Sequence, residues 1–216
     1  MNCIVTAGPT YEELDRVRRL TNFSTGKLGS GLANHLVERG HQVTLLLGHY
    51  STWRGEQRAQ SVRVFTTTMN LRERLQALAA RPVDAVFHAA AVSDFAFGKV
   101  FERAPDGSLS ERHADKFTTR SGPLLAELVP TPKLLEELRG WFPGACLVGW
   151  KYEVDGDCYA ALKKAGEQVA ANRTDGCVAN GPAYGPGFGL VTRTGGQAHY
   201  SDHAELFVAL EKLARA

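Results

Sequence analysis

No apolar run among the 216 residues approaches the roughly 20 needed to cross a bilayer, so no membrane partner is expected. Nor is one sign of charge in excess. Lys and Arg number 25 against 23 Asp and Glu, which leaves no electrostatic footprint of a nucleic-acid binder. Cysteine is sparse: none of the four forms a C-x-x-C pair, and none has histidines at metal spacing. Cys3, Cys146 and Cys177 lie in short apolar runs that read as buried strands, and Cys158 opens a helix. That is the pattern of unpaired thiols in a reducing, cytoplasmic protein. Met1 leads almost directly into a strand-like run, so no signal peptide is expected. No linker-like stretch divides the chain, and residues 1–216 read as one domain.

What the chain does have is a segment suited to an anion. Residues 16–33 read Arg-Val-Arg-Arg-Leu-Thr-Asn-Phe-Ser-Thr-Gly-Lys-Leu-Gly-Ser-Gly-Leu-Ala, leading into an apolar-periodic helix. Glycines let backbone N–H groups approach a ligand, and a helix N-terminus adds partial positive charge. Arg16, Arg18 and Arg19 crowd one loop and need an anion. A phosphate-bearing guest is expected.

The apolar run 3–7 ends at Gly8-Pro9 and reads as a buried strand, with a loop over 8–21 after it. A helix starts near Ser24 or Thr25 and stops at Gly40, placing Leu28, Leu32, Leu36 and Val37 on one face. Strands follow at 42–47, 62–65 and 83–90. The last two are separated by a helix that Asn70 and Glu73 open as a capping box. After Asp94 helical periodicity stops. Ala104-Pro105-Asp106-Gly107 is a turn signal, and 95–120 reads as a hairpin or flap within the domain. Then come a short helix at 132–138, a strand at 145–150, a helix capped by Asp157 running to Asn172, and a strand at 176–179. A hairpin of 188–192 and 197–200 and an amphipathic helix over 203–214 close the chain. Strands alternating with helices predict an α/β fold: a three-layer, mainly parallel, Rossmann-like sheet with helices on both faces and a β-hairpin flap. Ligands bind such sheets beyond the carboxyl ends of the strands. The loops after residues 7, 90, 150 and 180 then share one edge.

A short-chain-type NAD(P)-dependent reductase is one reading. Thr25-Gly26-x-x-Gly29-x-Gly31 is a glycine fingerprint, and Tyr159 and Lys163 have the Tyr-x-x-x-Lys spacing. Three features oppose it. The fingerprint should follow the first strand directly, but 18 residues separate Ala7 from Gly26. The second strand ends Leu45-Leu46-Leu47-Gly48-His49, with no acid for a ribose hydroxyl. No Ser or Thr lies in the twenty residues before Tyr159.

The second reading comes from motifs in order. Thr6-Ala7-Gly8-Pro9-Thr10, Asp15-Arg16-Val17-Arg18 and Thr21-Asn22-Phe23-Ser24-Thr25-Gly26-Lys27-Leu28-Gly29 are followed by Ala89-Ala90-Ala91-Val92-Ser93-Asp94-Phe95. Lys116, Ser121-Gly122-Pro123-Leu124 and Thr131-Pro132-Lys133-Leu134-Leu135 come next, then Leu147-Val148-Gly149-Trp150-Lys151-Tyr152-Glu153 and Val178-Ala179-Asn180. Over nearly its whole length the chain resembles the phosphopantothenoylcysteine synthetase (phosphopantothenate–cysteine ligase) family of coenzyme A biosynthesis, in a stand-alone form. The resemblance implies a ligase that joins 4′-phosphopantothenate to cysteine. A nucleoside triphosphate, CTP or ATP, first activates the carboxylate as an acyl-nucleotide and releases pyrophosphate. Cysteine's amine then displaces the nucleoside monophosphate. The resemblance further implies magnesium with the triphosphate, a homodimer with the 95–120 flap and the 188–200 hairpin near its interface, and no flavin. It implies no metal-ligand set.

Carried over by resemblance, Asn22 holds the reacting carboxylate, Arg18 faces an oxyanion of the substrate, and Lys116 is the catalytic lysine. Gly8, Thr10, Ser24, Gly26, Lys27 and Gly29 bind phosphate oxygens or border them. Ala90, Asp94, Trp150, Lys151 and Asn180 border the nucleotide. From the residues alone, Lys116 reads more readily as a solvated charge, Asn22 equally well as an N-cap, Asp94 as a turn cap, and Trp150 and Phe97 as core residues. The bacterial pattern around the catalytic lysine, Lys-x-Lys-Lys, is here Lys116-Phe-Thr-Thr-Arg120, and the following Ser-Gly-Pro-Leu is closer to the eukaryotic branch. Two lysines of the bacterial pattern fall on Gln168 and Asn172. Three possibilities stand: Lys163, Lys164 or Arg173 takes over, the nucleotide is held differently, or the chain is a catalytically weakened nucleotide-binding relative.

Overall fold

The computed structural model describes residues 1–118 and 122–216. Arg120, the end of the expected flap, and Ser121, which opens the Ser-Gly-Pro-Leu run, lie outside the described residues. In chain order the elements are β1 (Asn2–Ala7), β2 (Tyr11–Glu13), β3 (Arg19–Thr21), α1 (Lys27–Glu38), β4 (Gln42–Gly48), β5 (Ser61–Phe65), α2 (Thr68–Leu78) and β6 (Ala85–His88). They continue with β7 (Phe95–Arg103), β8 (Leu109–Glu111), β9 (Leu124–Pro130), α3 (Leu134–Trp141), β10 (Cys146–Tyr152) and α4 (Cys158–Asn172). The last four are β11 (Gly176–Asn180), β12 (Phe188–Thr192), β13 (Gln197–Tyr200) and α5 (His203–Arg215).

Eight strands form the central sheet in the order β13-β12-β11-β10-β6-β1-β4-β5. From β11 to β5 all pairs are parallel, and β12 and β13 add an antiparallel edge. Alternation along β1 explains the layers. Cys3, Val5 and Ala7 face α1 and α5, packing with Leu32, Leu36, Leu206 and Leu210. Ile4 faces the opposite way, into Leu71 and Leu75 of α2 and Leu134 and Leu138 of α3. On that second face α4 lays Ala161, Ala165 and Val169 on Cys177, Ala179 and Val191. This is the expected three-layer arrangement.

Three local expectations are corrected. The loop over 8–21 contains an antiparallel hairpin, Tyr11 opposite Thr21 and Glu13 opposite Arg19. Its polar, three-residue strands have too little apolar alternation to be legible. The flap hairpin turns at Gly107 as expected, but β9 pairs along the other side of β7, making a three-stranded sheet. Helix α2 is capped by Thr67, whose hydroxyl accepts Asn70 N at 3.2 Å, instead of by Asn70. It begins a turn early because the buried Glu12 carboxylate, delivered by β2, accepts Thr68 N at 2.9 Å. A negative charge there also complements the helix dipole.

Candidate functional site

At the carboxyl edge of the sheet, β1 hands the chain to Gly8, which turns it at φ 82°. Gly8 O accepts Ala91 N at 3.0 Å, and Thr10 N donates to Ala91 O at 3.1 Å, so the segments after β1 and β6 are laced together. Thr10, expected to touch ligand, is wholly buried. Its hydroxyl accepts Ser93 N at 2.8 Å, so it shapes the 90–94 turn from inside. The Thr6 hydroxyl does the same one step earlier, accepting Ala90 N at 3.1 Å and lying 3.0 Å from His88 Nδ1. Burial pushes the His88 imidazole down to about 4. Thr6 and His88 were missed by sequence reasoning. The available signal was a polar residue inside each of two apolar strand runs.

Asn22 stands just past the base of the β2–β3 hairpin. Thr21 Oγ1 donates to Thr10 O at 2.8 Å and fixes that base. The exposed Asn22 amide then hangs over the end of β6, donating to Ala91 O and Val92 O at 3.3 Å each. These contacts lie at the long end of hydrogen bonding and are readily exchanged. Ser24 N closes a tight turn onto Asn22 O at 2.9 Å.

Helix α1 follows with Gly26 as its N-cap at φ 78°. Gly26 brings no side chain to the cap, the Thr25 hydroxyl accepts Lys27 N at 3.2 Å, and the first turn carries no acid. No carboxylate of that turn therefore offsets its partial positive charge. A Cβ on Gly29 would lie 2.6 Å from Ala7 Cβ, so glycine lets the helix start pack against the end of β1. Lys27 is exposed beside it.

At the tip of the hairpin, Asp15 Oδ1 accepts Val17 N and Arg18 N at 2.8 and 2.7 Å, and Oδ2 accepts Phe117 N at 3.2 Å. Arg18 adds an ion pair to Asp15 at 3.2 Å and a hydrogen bond to Phe117 O. This clasp holds the stretch containing Lys116, which is exposed and has no ion pair among the described residues. The expectation that the three arginines need an outside anion is corrected. Arg16 pairs with Asp115 at 3.2 Å, Arg18 with Asp15, and Arg19 with Glu13 at 3.7 Å while lying over the Tyr11 ring. Tip and base of the hairpin are separated by four residues, about 13 Å of strand. The stretch containing Lys116 thus meets the hairpin at its tip, and Asn22 stands at its base.

Between the ends of β6 and β10 and the start of α3 lies a cavity of about 310 Å³. Ala90, Asp94, Lys133, Trp150, Lys151 and Gln168 are among its walls. Trp150 Nε1 is buried with no hydrogen-bond partner among the described residues. Lys133 Nζ meets Asp94 Oδ1 at 2.5 Å. Lys151 pairs with Glu153 at 3.4 Å, and Glu153 also takes Lys164 at 2.5 Å. Those partners, the Lys164 contact foremost, hold the Glu153 carboxyl below its usual range. Asn180, half-buried, ends the neighbouring β11 and accepts Glu153 N through its carbonyl at 2.9 Å.

Gln168 and Asn172 both line this cavity. Gln168 Nε2 turns inward over Gly149 to Trp150 O at 3.4 Å and Cys177 Sγ at 3.1 Å, and Asn172 Nδ2 donates to Gln168 O at 2.8 Å. None of Lys163, Lys164 and Arg173, the alternatives for those two lysines, is among the cavity's walls. Lys163 pairs with Glu167, Lys164 with Glu153, and Arg173 lines a cavity at the opposite edge. The reductase geometry is also missing: a hairpin stands between β1 and α1, and Tyr159 is 77% exposed.

Residues 1–196 match the family model of the DNA/pantothenate metabolism flavoprotein C-terminal domain. The coenzyme A biosynthesis bifunctional protein CoaBC of Bacillus subtilis is 34% identical over 190 residues, 88% of this chain and 42% of that protein. The CoaBC of Thermococcus kodakarensis is 32% identical over 82% of this chain and 40% of its own length. The chain thus spans about two fifths of the length of these curated relatives. Among solved structures, the DNA/pantothenate metabolism flavoprotein from Streptococcus pneumoniae superposes with a TM-score of 0.84 at 24% identity, covering 100% of this chain and 99% of that one. A mutant of Cab2 in complex with phosphopantothenate-cysteine has a TM-score of 0.68 at 19% identity, covering 98% and 88%. At these identities the superpositions establish the fold.

Proposed function

The chain belongs to the family of the DNA/pantothenate metabolism flavoprotein C-terminal domain, and on that premise we propose that it is a phosphopantothenate–cysteine ligase. A carboxylate is a poor electrophile, so the 4′-phosphopantothenate carboxylate attacks the α-phosphorus of CTP or ATP and pyrophosphate leaves. The amine of cysteine then attacks the acyl carbon of the acyl-nucleotide, and the nucleoside monophosphate departs with the electron pair of the broken C–O bond. The names of the CoaBC relatives and the phosphopantothenate-cysteine bound to the Cab2 mutant support the reading. One observation carries it. The Asn22 amide, the acid-free start of α1 and the cavity walled by Asp94 and Trp150 converge on one edge of the sheet.

In this reading the N-terminus of α1, with Gly26, Lys27 and Gly29, holds phosphate oxygens. The nucleoside occupies the cavity, bordered by Ala90, Trp150 and Lys151. Asn22 exchanges its long contacts for the reacting carboxylate, and Lys116 offsets negative charge as the transition state forms. Arg18 steadies the Lys116 stretch and presents its remaining donors to the substrate. Magnesium supplied with the triphosphate would need only one or two protein carboxylates to hold it and would offset phosphate charge there. Asp94 and Glu136 line the cavity and fit that need. No flavin takes part. A second copy packs on the three-stranded sheet of β7, β8 and β9, where Phe95, Leu125, Leu128 and Val129 are exposed. The reaction belongs to the cytoplasm.

Purified protein with phosphopantothenate and CTP or ATP, with magnesium, is expected to release pyrophosphate, and adding cysteine to yield the amide by mass spectrometry. Absence of both products with either nucleotide overturns the reading. Protection from thermal unfolding by NADPH, and not by CTP or ATP, would favour the reductase instead.

A further inference from the structure

The cavity raises a charge problem that rests on the ligase reading. A triphosphate needs cations, yet Gln168 and Asn172 are neutral, and Lys163, Lys164 and Arg173 do not line the cavity. Two lysines do line it, Lys133 and Lys151. Lys151 shares one carboxylate, Glu153, with Lys164, leaving that trio with an excess positive charge. Lys133 is the residue immediately before α3, and its ammonium crosses to Asp94, on the connection between β6 and β7. The two backbones are tied there as well, by Thr131 N to Asp94 O at 3.0 Å and by Thr131 Oγ1 to Ser93 O.

We infer that Lys133 is a nucleotide-binding residue, taking the charge-neutralising place that lysines at positions 168 and 172 would fill. The Lys133–Asp94 pair is exposed on both sides, 54% and 70%. Such a solvent-exposed pair holds its partners weakly, so a phosphate oxygen of higher charge competes for the ammonium. Asp94 is then freed to face the sugar or the metal that accompanies the phosphates. Glu136 is the other carboxylate at the cavity. Without a nucleotide, the two carboxylates and two lysines balance. The phosphate dianion is what tips Lys133 from one partner to the other.

The test is equilibrium binding of labelled ATP and CTP with magnesium to wild type, K133Q and K133Q/Q168K, alongside pyrophosphate release with phosphopantothenate. K133Q is expected to weaken nucleotide binding at least ~10-fold and to leave the KM for cysteine unchanged. Placing the cation at the other wall, K133Q/Q168K is expected to recover at least ~3-fold of the loss. Nucleotide affinity unchanged in K133Q overturns the inference. So does a loss that Q168K does not repair, because Lys133 would then act only by holding Asp94. The failures are distinguishable. A wild type that binds nucleotide but releases no pyrophosphate refutes the ligase reading, whereas a competent wild type with an indifferent K133Q refutes the role of Lys133.

Discussion

Phe117 N donates a hydrogen bond to Asp15 Oδ2 at 3.2 Å across 102 positions of sequence. Burial works to raise the Asp15 pKa, but three backbone N–H donors and the Arg18 guanidinium reverse that and hold it below the ordinary carboxylate value. The charged form is therefore what clasps the Lys116 stretch to the β2–β3 hairpin.

Asp15→Asn keeps the shape and removes the charge. Turnover is expected to fall at least ~10-fold through misplacement of Lys116, with nucleotide affinity nearly unchanged. Steady-state kinetics beside equilibrium nucleotide binding separate the two. Equal losses in both would mean that the clasp supports the whole edge.

Asn22→Ala and Lys116→Gln are each expected to cut turnover at least ~10²-fold if these groups act in the transition state. Both side chains are exposed, so melting temperatures should barely move. Near-normal rates would return them to structural or solvated roles.

Gly29→Ala places a Cβ 2.6 Å from Ala7 Cβ and 3.0 Å from Thr6 O. Backbone cannot yield as a flexible side chain does, so α1 must shift away from β1, at about 1–3 kcal/mol. Denaturant unfolding should register the cost, and the thermal protection conferred by CTP or ATP should shrink because the phosphate cradle has moved.

The His88 pKa is depressed from 6.5 to about 4 in the folded state. Between those values the unfolded chain binds a proton that the native one does not. Stability from this group is thus complete above pH 6.5 and falls as pH drops towards 4, by up to about 3 kcal/mol. Urea unfolding from pH 7 to pH 4 is expected to show that slope, and His88→Asn to flatten it. An identical slope in the variant would refute the assignment.

Glu211 is buried in α5 at the opposite edge. Burial raises its pKa, but Arg215, His41 and Arg39 bring it down to about 2. The stability it supplies is present above pH 4.5 and lost as pH falls towards 2. Glu211→Gln leaves His41, Arg39 and Arg215 without their common anion and should cost about 2–4 kcal/mol. Turnover per folded molecule should not change, because none of these groups lines the candidate site.

The parallel sheet was readable in the sequence because its strands are short apolar runs and its helices carry 3.6-residue stripes, both local signals. The Asp157 cap and the 188–200 hairpin were readable for the same reason: Asp157 does accept Ala160 N, at 2.8 Å, and β12 and β13 do pair. The carboxyl-edge rule by itself brings Asn22, Ala90, Asp94 and Trp150 to one edge. Not readable were β2, β3 and β9, whose residues acquire strand form only through partners, and the buried duties of Thr10 and Thr6. Equally hidden were the internal anions of Arg16, Arg18 and Arg19. Composition tells that three cations need counter-charges, but not whether a ligand or the chain supplies them. That choice depends on contacts such as Asp15 with Phe117 and Lys133 with Asp94. Loop-closing contacts between residues distant in sequence leave no periodic trace, because their energy is realised only once the sheet has brought its strand ends to one edge.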